Sequence, residues 1–203
     1  ERAVIVQASC HGPDNRAMLD AIATSGGKWK GVCIARATFT DEEFRQLHDG
    51  GVCGVRFNFV THLGGTPNLE AMTNILQRVK PLGWHLIIHV NAEDLVKFED
   101  FFAKIDMEII VDHMGRVPCD QGTAQPAFQI LKRFIQRPNW WCKVCGAERI
   151  SRVGPPFHGL RDGTFDVTDG DGFHGGAKFN FRSGRGGRDC PRGCAFAGPR
   201  RRW

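Results

Sequence analysis

Short apolar runs rich in β-branched residues alternate along this chain with longer stretches whose apolar positions recur every three or four residues. Residues 3–8 (AVIVQA), 31–35 (GVCIA), 52–59 (VCGVRFNF), 84–90 (WHLIIHV), 107–111 (MEIIV) and 140–145 (WWCKVC) have the length and composition of strands. Helical spacing predicts helices between them. The first is capped by Asp14 or Asn15 and runs to about residue 23, with Met18, Leu19 and Ile22 on one face. The second opens at Thr40, which with Glu43 matches a capping box, and ends at about residue 48. Residues 68–79, 93–104 and 126–136 complete the set, with Pro81 and Pro138 as stops. Strand–helix alternation at this spacing implies a parallel α/β sheet. It fits either an open doubly wound sheet or a (β/α)8 barrel that is incomplete, with about six βα units. No dinucleotide glycine fingerprint and no Walker loop follows the first strand, which weakens the nucleotide-binding folds.

The apolar pattern ends near residue 156. Residues 154–203 hold 12 of the 25 glycines and, besides alanines, only Leu160 and Val167 as aliphatic residues. Such a segment cannot bury enough apolar surface to offset chain entropy. The expected organisation is therefore a β/α domain over 1–156 and an irregular Gly/Arg-rich tail over 157–203. The net charge of +5 changes the picture little, because much of it lies after residue 180, where Arg182, Arg185, Arg188, Arg192 and Arg200 to Arg202 meet only Asp189. The near-neutral body gives no reason to expect a nucleic-acid partner. Eight cysteines are scattered, several inside strand-like runs, as suits reduced buried thiols in a cytoplasmic protein. Cys142/Cys145 and Cys190/Cys194 invite a zinc reading, but on a strand the first two point to opposite faces. No run of apolar residues reaches the ~20 needed to span a membrane.

The candidate chemistry sits at strand ends. Residues 107–116 (MEIIVDHMGR) read as a buried strand running into a tight turn that crowds Asp112, His113 and Arg116 together. Strand alternation puts Arg56 and Asn58 on one face, and His89 ends the fourth strand. Together with Ser9 and Arg149 these would converge on one mouth if the strands are parallel, because loops at the C-terminal ends of such strands carry the ligand groups. Several guanidiniums with imidazoles suit a small carboxylated substrate, since Arg grips a carboxylate with two parallel hydrogen bonds. Each also has a plainer reading: the arginines as partners of nearby acids, the histidines as satisfied core or loop residues.

The segments ERAVIVQASCHGPDN, GVCGVRFNFV, HVNAEDL, VDHMGR and CKVCGAERIS resemble the amidohydrolase-related TIM-barrel hydrolases, nearest the branch of 2-pyrone-4,6-dicarboxylate lactonases. The resemblance covers about residues 1–156 and implies a distorted (β/α)8 barrel that hydrolyses a lactone, ester or amide. Matched by position, it implies that His113 belongs to the metal or water-activating centre, with one divalent zinc or manganese or no metal. It implies that Arg56, Arg116 and Arg149 bind carboxylates or polarise the carbonyl, and that Ser9 lies beside the substrate. His89 stands where that branch uses a tyrosine, His62 where it uses another arginine, and Cys145 where it uses a serine.

The family's H-x-H of the first strand and aspartate of the last strand are not in this chain. The resemblance therefore implies a truncated, catalytically impaired fragment with an out-of-frame tail. The competing expectations are a non-catalytic βα domain that binds an anionic ligand, and an RNA-binding protein that uses its Arg/Gly tail. Oligomeric state has no signal in the sequence.

Overall fold

The computed structural model describes residues 2–152 and 195–197. Among the described residues, strands and α-helices follow in chain order, strictly alternating at first: β1 (Ala3–Val6), α1 (Arg16–Thr24), β2 (Trp29–Cys33), α2 (Asp41–Asp49), β3 (Val52–Asn58), α3 (Leu69–Val79) and β4 (His85–His89). They are followed by α4 (Ala92–Lys97), α5 (Glu99–Ala103), β5 (Ile109–Val111), α6 (Pro126–Ile135), β6 (Trp140–Val144) and β7 (Ala195–Ala197). The chain divides into two compact units. One holds residues 1–89 and 107–109, the other residues 90–106 and 110–203.

In the first unit β1, β2, β3 and β4 pair in that order, and every pairing is parallel. The helices bury the apolar stripes that the sequence predicts. Met18 and Ile22 of α1 descend onto Gly31 of β2, where an added Cβ would lie 2.8 Å from Met18 Sδ and would push these side-chain ends aside. On α2, Phe44 meets Trp84 edge to face at 6.1 Å, and the Trp84 indole donates to His48 Nδ1 at 3.1 Å. Thr40 and Glu43 form the expected reciprocal capping box.

Two expectations are corrected. Asn15 sits at the N-cap of α1 but does not cap it with its side chain: its amide donates to the Pro13 and Ile34 carbonyls and accepts from Ile34 N–H, tying the β1 exit to the end of β2. The single helix expected over 93–104 is two, because Phe98 leaves helical geometry (φ −113°, ψ 19°) and its ring lies edge-on to Phe102 instead.

In the second unit α6 buries Phe128, Leu131 and Phe134, the last stacked on the fully buried Trp140 at 4.1 Å. β6 pairs antiparallel with β7. Of the tail, Ala195–Ala197 alone are described. The rest of the expectation for 157–203, including the Arg/Gly RNA-binding reading and the Cys190/Cys194 pair, lies outside the described residues. Among the described residues no helix is long and apolar enough to cross a membrane.

Candidate active site

Each unit presents a polar cluster at strand ends. In the first unit, parallel register sets Asn58 of β3 directly opposite His89 of β4, and Phe59 N–H donates to the His89 carbonyl at 2.8 Å just beyond the strand. The side chains continue the link. His89 Nδ1 donates to Asn58 Oδ1 at 3.1 Å, and Asn58 Nδ2 in turn donates to Ser9 Oγ at 3.4 Å. With the proton on Nδ1, a neutral His89 carries its lone pair on Nε2. Arg56, two residues before Asn58 and on the same face, donates through Nη2 to the Gln7 carbonyl at 3.0 Å and to Ser9 Oγ at 2.7 Å. Ser9 itself is held by its loop. Buried Gln7 donates to the Gly12 and Asp14 carbonyls, which folds the β1 exit back on itself. Thus Ser9, Arg56, Asn58 and His89, drawn from three strand ends, form one connected hydrogen-bonded group. His62, by contrast, lies exposed in the turn after β3.

In the second unit the end of β5 leads through Asp112 into residues 113–116, all of which have positive φ: 51° at His113, 55° at Met114, 62° at Gly115 and 51° at Arg116. This is a turn of left-handed backbone. For each non-glycine residue it costs roughly 1–2 kcal/mol, and such strain persists only where the surroundings over-determine it. The surroundings here are specific. Asp112, at the head of the turn, is buried and ion-paired with Lys143 of β6 at 2.7 Å. His113 Nδ1 lies 3.3 Å from Cys145 Sγ. Gly146 leaves room for the ring, since a Cβ there would come within 3.1 Å of His113 Nδ1. Met114 is buried, and Arg116 is half-buried at the end of the turn. Arg149, on the exposed turn after β6, pairs with Glu148 at 3.2 Å.

Burial lowers the His113 pKa below its ordinary 6.5. The nearby Arg149 and Lys143 cations add to the lowering, while Asp112 and Glu148 oppose it. A neutral imidazole at pH 7 can take a proton or offer a lone pair. The sequence did not single out Lys143 as a site residue. Its signal was a cation inside the otherwise apolar run WWCKV, which a buried strand tolerates only beside a counter-charge.

Cys142 is buried, and desolvation pushes its thiol up. Among the described residues no three His, Cys, Asp or Glu side chains gather as donors for a metal ion. The carboxylate beside His113 is committed to Lys143, and His113 Nδ1 faces a thiol. The described side chains therefore do not make the donor set that a divalent metal needs.

Parallel strands interleaved with helices, with polar groups at their C-terminal ends, give the described residues the βα architecture of the TIM-barrel type. The amidohydrolase family model matches residues 1–166, and the chain belongs to that family. Over 155 residues it is 44% identical to the 2-pyrone-4,6-dicarboxylate hydrolase of Comamonas testosteroni, covering 76% of this chain and 51% of that protein. It is 30% identical over 158 residues to the 4-sulfomuconolactone hydrolase of Hydrogenophaga intermedia, covering 77% and 52%. A solved structure of a probable 2-pyrone-4,6-dicarboxylic acid hydrolase from Acinetobacter baumannii, with citric acid bound, superposes with a TM-score of 0.67. That pair is 29% identical, covering 77% of this chain and 58% of the other. The chain spans about half the length of the curated relatives it matches. Members of this family commonly use a divalent metal.

Proposed function

We propose that this chain carries part of the machinery of a hydrolase acting on a small carboxylated lactone, ester or amide. The observation that carries the reading is the connected group Ser9–Arg56–Asn58–His89, in which a guanidinium and an imidazole are held in fixed orientation at the strand ends. A fixed guanidinium binds a carboxylate with two parallel hydrogen bonds, and Asn58 and His89 add directional partners. The names of the relatives, hydrolases of a pyrone dicarboxylate and of a sulfomuconolactone, support an anionic lactone as the substrate class, and the citric acid in the Acinetobacter structure supports a carboxylate-binding character.

In this reading His113 takes the proton of the attacking water. Its burial supports the role, because the unprotonated ring is the form that accepts a proton near neutral pH. Arg116 polarises the carbonyl, and Arg149 adds a further anion contact. The metal implied by the family finds no complete donor set among the described residues, so the roles assigned here are those of the side chains alone. The free, buried cysteines support a reducing compartment such as the cytoplasm.

Hydrolysis of 2-pyrone-4,6-dicarboxylate, followed by the loss of pyrone absorbance, tests the reading in the wild-type chain and in His113→Ala. The expected result is turnover that His113→Ala reduces by at least a hundredfold. Turnover unaffected by that substitution would remove His113 from the mechanism.

A further inference from the structure

We propose that Lys143 is a positioning residue for His113, acting through the buried Asp112 carboxylate on the left-handed turn that carries the imidazole. The functional weight of this inference rests on the reading of His113 given above; its structural content does not.

The Asp112 and Lys143 side chains are 3% and 11% exposed and 2.7 Å apart. Withdrawing two charges from water is costly, and a well-packed apolar pair is often at least as stable, so fold stability by itself is a poor account of such a pair. Its position gives a better one. Asp112 is the last residue before four successive positive-φ residues, three of them not glycine, and a backbone of that kind relaxes unless it is held.

The holding element is β6, whose backbone is fixed by pairing with β7 at Lys143↔Phe196. Lys143 of the strand meets Asp112, and Cys145, just past the strand's last residue Val144, meets the adjacent His113 at 3.3 Å. The strand and the residue that follows it thus grip Asp112, at the head of the turn, and His113, its first residue. Gly146 completes the fit, because any side chain there would press on the ring. Of the two grips the ion pair is the buried and charged one, and it holds the point where strand becomes turn.

The test uses the full chain and nuclear magnetic resonance of the backbone over residues 113–116 together with the His113 ring, in wild type, Lys143→Met and Lys143→Arg. In Lys143→Met the signals of 113–116 lose their left-handed Cα shifts and the ring signals move, while resonances of the first unit stay in place. Lys143→Arg, which keeps the charge, restores most of the wild-type pattern. Unchanged signals over 113–116 in a folded Lys143→Met would overturn the proposal.

If the buried carboxylate without its Lys143 counter-charge prevents folding, the double variant Asp112→Asn/Lys143→Met removes both charges, and the same shifts are read there. A wild-type turn in the double variant also overturns it. Lactone turnover separates the two readings: with the turn displaced, kcat falls by roughly a hundredfold at little-changed KM if His113 is catalytic. A displaced turn with unchanged kcat keeps Lys143 as a positioning residue and removes His113 from catalysis.

Discussion

The Arg56 guanidinium reaches from β3 to the exit of β1 and donates to Ser9 Oγ at 2.7 Å, with Asn58 donating to the same oxygen. The serine hydroxyl is therefore the shared acceptor of two part-buried donors. Removing it in Ser9→Ala takes one hydrogen bond from each donor, while Arg56 keeps the Gln7 carbonyl, at a cost of about 1 kcal/mol in stability. Urea denaturation followed by tryptophan fluorescence reads this as a lowered midpoint. A midpoint equal to wild type would show that the link carries no weight.

Burial lowers the His113 pKa, so folding favours the neutral ring. The stability this supports is complete above the ordinary value of 6.5 and is lost as pH falls through the lowered folded value. The imidazole carbon-bound protons should titrate with a midpoint below 6.5. The stability difference between wild type and His113→Gln should shrink as pH drops from 7 towards 5. A midpoint above 6.5 would contradict the burial of this ring.

The thiols differ in reactivity for physical reasons. Cys10 is exposed, whereas burial pushes the Cys33 thiol up to about 12 and the Cys142 thiol higher still. Iodoacetamide at pH 8 should label Cys10 in the native protein and reach Cys33 and Cys142 only after unfolding, as peptide mapping by mass spectrometry would show. Labelling of Cys33 at the rate of Cys10 would mean that the first unit opens far more readily than its packing allows.

The capping box at α2 is local and separable from the site. Thr40→Ala removes the acceptor for Glu43 N–H and should cost about 1 kcal/mol, with no effect on carboxylate binding. Thermal unfolding alongside a ligand titration checks both halves of that statement.

Much of this architecture is readable from residue order. β-branched runs located six strands, and helical spacing located α1, α2, α3 and α6, because one face of each must be buried. Alternation put Arg56 and Asn58 on one face, and they do share Ser9. Other features leave little trace. Met114 and Arg116 are not residues that favour positive φ, so only Gly115 and, more weakly, His113 hint at the left-handed turn, which tertiary contacts impose. Phe98 breaks a helix without glycine or proline. Asn15 looks like a cap yet spends its amide on Ile34, a partner 19 residues away. The Lys143–Asp112 pair joins residues 31 apart, and pairing at that distance is a property of the fold.

The proposed function requires that strand-end guanidiniums of this chain bind the carboxylates of a small lactone. Isothermal titration with 2-pyrone-4,6-dicarboxylate, with the uncharged parent pyrone as the control ligand, in wild type and in Arg56→Lys, tests it most directly. The expected result is binding of the dicarboxylate alone, weakened about tenfold or more in Arg56→Lys, which is about 1.4 kcal/mol and in the range of one charge-assisted hydrogen bond. Equal affinity for the charged and uncharged rings, or for wild type and Arg56→Lys, would contradict it.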